Sequence, residues 1–209
     1  MSHNINAEIE IEVRDREGKL IEEKKFKSKT WVSNFIKMLR TMMYPYATAG
    51  RFDSEITLMD VNGVSKTFKG GEASSTSNIY MAIGVRAPAG DDEGGILIGS
   101  SDTPYDKDDY SLASKIEHGT GTGQMTYGDT TVEDVSETAS GAYFRIIRAF
   151  TNNSGDAITV KEVGLAVCNY YEGGSHNKFL ICRDVLSSPI SVPDGASLTV
   201  RYKITISYA

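Results

Sequence analysis

A chain of 209 residues with 40% hydrophobic and 24% charged residues can bury a core without metal or disulfide staples, and that composition excludes global disorder. A net charge of −6 and a pI near 5.1 argue against a sequence-independent nucleic-acid binder, which must offset phosphates with a surplus of Lys and Arg. No apolar run reaches the ~18 residues of a spanning helix, and Met1 to Glu8 lacks a basic stretch followed by an apolar segment. The expectation is cytoplasmic synthesis without a signal peptide, with no membrane span and no nucleic-acid partner.

From Ala7 to Arg14 apolar and polar residues alternate, Arg16-Glu17-Gly18-Lys19 supplies a turn, and Leu20 to Lys27 returns. This predicts a hairpin with one charged face. The basic residues between Arg14 and Lys29 are interleaved with Glu17, Glu22 and Glu23, which reads as a solvated face rather than a phosphate-binding strip. The period then changes. Trp31, Phe35, Met38 and Met42 fall at i, i+4, i+7 and i+11, and Val32, Ile36, Leu39 and Met43 repeat the spacing one position on. A helix over 30–43 follows, with Ser28 or Thr30 as its cap and Pro45 as its stop. Such a helix either covers an open sheet end of its own subunit or docks on a neighbour.

Strand patterning resumes at Glu55 to Met59 and Ser65 to Phe68, around an Asn62-Gly63 turn of the type I′ kind. Residues 70–78 are small and polar. Ile79 to Val85 and Gly95 to Gly99 are short apolar runs suited to buried strands, and they bracket an acidic, Gly-rich loop over 87–94. A long connection over 100–111 is of the kind that is functional or ordered by a partner. Strand patterning then resumes over 124–135, and from Ala142 to Ala209 strand follows strand, with turns at 152–156 and 193–195. The predicted architecture is mostly β: an antiparallel β-sandwich or jelly-roll-like domain over 46–209, preceded by an arm over 1–45 made of a β-hairpin and one amphipathic helix.

Cys168 and Cys182 are too few for a disulfide framework and lack the company of a zinc site. If a symmetric hairpin closes around 170–178 they lie opposite each other, within reach of a cross-strand bridge. The alternative is two small buried thiols.

Chemistry-bearing motifs are sparse. His118-Gly119-Thr120-Gly121-Thr122-Gly123 imitates a dinucleotide fingerprint, but its third glycine is one residue early and a strand follows, so no helix dipole would hold a pyrophosphate. Asp106, Asp108 and Glu117 take positions 1, 3 and 12 of an EF-hand loop, yet Tyr110 and Ser111 occupy positions that need an oxygen ligand and a glycine. A non-EF calcium site from Asp106, Asp108, Asp109 and Glu117, or from Asp91, Asp92 and Glu93, is the alternative to solvated loop acids. His3, His118 and His176 are far apart. No G-x-S-x-G elbow, H-E-x-x-H or P-loop is present, and the expectation is a protein without catalytic residues or cofactors.

One order of residues is more specific. Glu162-Val163-Gly164-Leu165, a return strand from Phe179 to Val185, Pro193-Asp194-Gly195 and a closing strand from Leu198 to Thr205 resemble the β-rich modules of tailed-virus structural proteins, tail fibres among them. Tyr105 to Ile116 followed by His118 to Tyr127 is similar to segments of phage particle proteins. The resemblance implies a β-sandwich building block of a virion, on the capsid surface or tail, made in the host cytoplasm and binding copies of itself and other virion proteins. Trp31, Phe35, Met38, Met42, Tyr105 and Tyr110 are the candidate assembly residues. Two other readings stand beside it. One is a receptor- or carbohydrate-binding module stacking sugars on Tyr105, Tyr110, Tyr127, Tyr170 and Tyr171; the other is a subunit of a self-assembling extracellular filament.

Overall fold

The computed structural model describes residues 5–43, 47–48, 51–52, 54–71, 83–170 and 176–208. In chain order, β1 (Ile5–Arg14) and β2 (Leu20–Ser28) form a hairpin, followed by α1 (Ser33–Met43) and two short paired strands, β3 (Ala47–Thr48) and β4 (Arg51–Phe52). A second hairpin, β5 (Ser54–Met59) and β6 (Ser65–Gly71), precedes β7 (Ile83–Gly84) and β8 (Gly95–Gly99). The remainder is β9 (Thr126–Val132), β10 (Ser136–Thr138), β11 (Gly141–Thr151), β12 (Ile158–Tyr170), β13 (His176–Val192) and β14 (Ser197–Ser207).

Two antiparallel sheets carry the fold. The first runs β10-β11-β14-β1-β2, with β9 also on β11; the second runs β13-β12-β7, with β8 also on β12. Their facing sides share one apolar core, so the protein is mostly β and sandwich-like, as predicted. On the first sheet, alternate residues point inward in register: Ile9, Tyr202 and Ile146 form one row, Ile11, Val200 and Arg148 the next, then Val13, Leu198 and Phe150. Each fully buried aliphatic side chain in these rows contributes about 1.5–3 kcal/mol. The outer positions pair charges, among them Arg201 with Glu12 at 2.9 Å and Arg145 with Glu133 at 3.2 Å.

The N-terminal hairpin is therefore not an arm. β1 pairs with β14 over its whole length, from Ile5↔Ile206 to Arg14↔Ser197, and its inward residues from Ala7 to Val13 lie in the core.

The helix begins at Ser33, later than predicted, because residues 30–32 extend along the edge of β13 instead. Trp31 bridges Cys182, the Val32 N–H donates to the Ile181 carbonyl (3.1 Å), and the Arg183 N–H donates to the Thr30 carbonyl (3.1 Å). Neither Ser28 nor Thr30 caps the helix. Both hydroxyls donate to the buried Asp184 carboxylate, at 2.7 and 2.6 Å, since an interior anion needs donors more than a helix end does. The predicted Pro45 stop lies outside the described residues. The helix lies against β5, β6 and β13, burying Asn34, Met38 and Thr41.

β13 runs unbroken through Pro189 to Val192, beyond Val185, where the predicted return strand ended. It is the edge of its sheet, and the register with β12 jumps between Val160↔Ile190 and Glu162↔Val185, so the missing proline N–H interrupts no ladder bond. The Cys168–Cys182 expectation also changes. Tyr170 pairs with His176, which slides the register so that Cys168 faces Lys178 and Cys182 faces Leu165; both cysteines are free and buried.

Candidate assembly surface

Three buried polar nodes fix the long connections to the sandwich. The first lies on the side of β12 and β13 facing away from the first sheet. There the Arg183 Nε donates to Glu162 at 2.7 Å, one terminal nitrogen to Asp109 at 2.9 Å and the other to the Thr103 carbonyl at 2.9 Å. The Glu162 carboxylate also accepts the N–H groups of Ala113 (3.2 Å) and Ser114 (2.8 Å). Gly164, opposite Arg183, is small for a reason: a Cβ there would stand 2.8 Å from the Leu112 side chain and 3.0 Å from that of Leu180. The Glu-x-Gly-Leu motif is thus the clasp that holds residues 103–114 on the sheet.

The second node is Arg148. It falls in phase with Ile146 and Phe150 and points into the core, where its guanidinium sits 4.7 Å from the Tyr127 ring centre. Its nitrogens donate to five carbonyls: Gly128 (2.8 Å), Gly94 (2.8 Å), Ile96 (2.9 Å), Asp91 (2.6 Å) and Pro88 (3.3 Å). Burial pulls its pKa down, against the pull of the Tyr127 hydroxyl and Asp91. The third node is Asp184, which also accepts the Lys29 N–H (3.1 Å) and the Cys182 thiol (3.0 Å). Burial, then the adjacent Asp184 charge, pushes the Cys182 thiol well up.

The candidate calcium acids do not converge. Asp109 is held by Arg183, Asp108 accepts the Ser33 hydroxyl (2.9 Å) and pairs with Lys107, and Asp106 accepts the Asp108 N–H (2.8 Å). Glu117 lies elsewhere, 3.6 Å from Lys115. Asp91 binds Lys178 at 2.6 Å, Glu93 reaches the same ammonium at 3.4 Å, and Asp92 pairs with Lys115 at 3.1 Å. Among the described residues no group of three or more His, Cys, Asp or Glu side chains is placed to hold a metal ion. His118 accepts the Tyr127 N–H on Nδ1 at 3.1 Å, and the glycine cluster around it is a tight turn in which the Gln124 N–H donates to the Gly121 carbonyl (2.9 Å).

The candidate assembly residues divide. Met38 is spent in the chain's own core, and Tyr105 is tied down by donating to the Trp31 carbonyl at 2.8 Å. Tyr110 is 41% exposed and stands against Gly63. Of the tyrosines considered for sugar stacking, Tyr127 is fully buried, with its hydroxyl donating to the Ile116 carbonyl at 2.6 Å, so it presents no face. The side chains of Tyr170 and Tyr171 lie outside the described residues.

Trp31, Phe35 and Met42 are only partly buried, and they border open apolar space. Trp31 and Phe35 stack with ring centres 4.4 Å apart at the mouth of a trough of about 600 Å³ between the two sheets. Leu165, Val167 and Ile181 form its wall on the second sheet; Ala7, Phe144 and Ile204 form its wall on the first. Two shallower apolar hollows continue it, one along Leu39 and Met42 of the helix, the other over Ile206, Val135 and Tyr208. The sequence reading found the helical half of this surface through its period and missed the sheet half, because inward-facing strand residues look alike whether covered or not.

No family model, curated protein or solved structure matches the chain. Among the described residues no helix is long and apolar enough to cross a membrane.

Proposed function

We propose that this protein is a non-enzymatic structural component of a tailed virus particle, on the capsid surface or tail, that works by homo-oligomeric assembly. The observation that carries the assembly part is the apolar trough left open at one end of a sandwich whose long connections are otherwise pinned by buried charges. A rigid body with an uncovered apolar face suits repeated symmetric contact. The particle part rests on the Glu162-to-Thr205 resemblance. Electron microscopy and labelled-antibody localisation on native particles test it: regular density on virions supports the proposal, tubes without virions replace it with the filament reading, and absence from every particle fraction overturns it.

A second reading has its own observation. A hollow of about 210 Å³ lined by Asn62, Asp92, Glu93, Ser111, Lys115 and Glu117 together with Val61, Leu97 and Leu112 adjoins the Gly63 turn against which the half-exposed Tyr110 ring stands, a mix of hydrogen-bonding and apolar groups that suits a carbohydrate. Glycan-array binding lost in Tyr110→Ala would favour it; a silent array removes it.

A further inference from the structure

We propose that the end of the first sheet left uncovered among the described residues is a self-association surface that packs face to face on the same surface of a second copy about a two-fold axis. Three neighbouring strands, β1, β14 and β11, support it together. Beyond the row of Ala7, Ile204 and Phe144, which faces the second sheet across the trough, the inward positions stay apolar for one row more: Ile5, Ile206 and Ala142 lie side by side, with Val135 and Tyr208 lining the same hollow. Ile5 is 75% exposed and Ile206 40%, whereas Ala7 in the next row is 8% exposed and Ile9, Tyr202 and Ile146 one row further in are 0–4% exposed. Of the intervening residues, Glu8 and Lys203 are polar and paired on the other face, and Asn6 and Thr205 border the hollows. Among the described residues the core therefore does not account for the apolar side chains of this last row. A second apolar face does.

The size also fits. The exposed parts of Ile5, Val135, Ile206 and Tyr208 amount to roughly 450 Å², already within the range of the largest patch on a typical monomer. The partly exposed trough residues extend it toward the roughly 800 Å² that one partner contributes to a standard interface. A second copy is favoured over other occupants because the face is sheet-like, extends in two dimensions and offers few polar groups to orient a smaller molecule. Another sheet packed at about 10 Å spacing covers such a face, and a two-fold closes the contact without leaving either copy's overhang free. The opposite side of the sheet satisfies its charges internally, Lys25 with Glu10 and Arg201 with Glu12, so it does not compete.

This inference rests on the assembly reading for its premise of self-association, and the test separates the two. Sedimentation velocity of the full chain from about 1 to 300 µM should show the 22.8 kDa monomer giving way to a species of twice that mass. The Ile5→Lys/Ile206→Lys variant should weaken the dimer at least about tenfold with thermal unfolding unchanged, while Glu23→Lys, an equal charge change on the outer face, leaves it intact. Ile206→Cys should cross-link to dimers on mild oxidation and Glu23→Cys should not, which keeps the proposal testable even if the lysine pair folds poorly. An oligomer indifferent to Ile5→Lys/Ile206→Lys overturns this surface and leaves assembly standing. A strictly monomeric wild type overturns both. A single chain retaining an apolar small molecule in native mass spectrometry overturns the surface in favour of a ligand site.

Discussion

Replacing Glu162 by Ala is the sharpest probe of how the sandwich holds its longest connection. The side chain is fully buried and serves three donors, the Arg183 Nε at 2.7 Å and the backbone N–H groups of Ala113 and Ser114. Its loss leaves Arg183, itself buried, with Asp109 and the carbonyls of Thr103 and Pro104, and strands two N–H groups. Removing one member of a buried ion pair costs about 3–5 kcal/mol, a large share of the 5–15 kcal/mol that stabilises a typical domain. Equilibrium urea unfolding followed by circular dichroism should show that loss. Hydrogen exchange should show amides of residues 100–117 deprotected ahead of the strands. In a double-mutant cycle with Arg183→Met the two losses should fall short of additivity by about 2 kcal/mol or more, because the second substitution removes the charge that the first stranded. A cost below about 1 kcal/mol, or a full cost with residues 100–117 still protected, would refute the clasp.

Arg148→Lys should cost about 3 kcal/mol in urea unfolding despite keeping the charge, since one ammonium cannot span five carbonyls; a near-neutral result would contradict the hub. Gly164→Ala should cost about 1–3 kcal/mol, partly recovered by Leu112→Ala, which removes the atom the new methyl meets; failure of that rescue would place the strain elsewhere. Burial pushes both cysteine thiols up, so at pH 8 neither should react with a thiol reagent until the chain unfolds, and prompt labelling of the folded protein counts against the core placement. Burial opposes ionisation of Asp91 and Asp92, but the Lys178 ammonium and the Glu93 N–H on the first, and the His118 N–H and Lys115 on the second, hold both below the ordinary carboxylate range. Folded values below unfolded ones mean that their contribution is complete above about pH 4 and is lost as pH falls through the depressed values. Urea midpoints measured down the acid side should therefore fall less steeply in Asp91→Asn/Asp92→Asn than in the wild type, and parallel curves would rule the link out.

Much of the element inventory was legible because it depends on neighbours in the chain. Alternation from Ala7 to Arg14 and from Leu198 to Ile206 marked strands, and the spacing of Trp31, Phe35, Met38 and Met42 marked the helix within a few residues at its start. Arg148 could have been suspected, since it sits in phase with Phe144, Ile146 and Phe150 on a strand whose other inward residues are apolar. Glu162 and Gly164 were singled out by pattern alone, without the reason for them.

The sequence by itself determined a β-rich chain with one helix, a charged outer strand face and apolar inner faces, because side-chain period and turn chemistry are local. Tertiary structure decided what those residues do. Arg183 meets Asp109 across 74 residues, and Ser28 meets Asp184 across 156, encounters that only long-range strand pairing creates. It also decided where the second sheet stops. Ile5 and Ile9 are the same residue in the same alternation, yet one is covered and the other is not, since burial depends on what lies across the core rather than on the strand that carries the side chain.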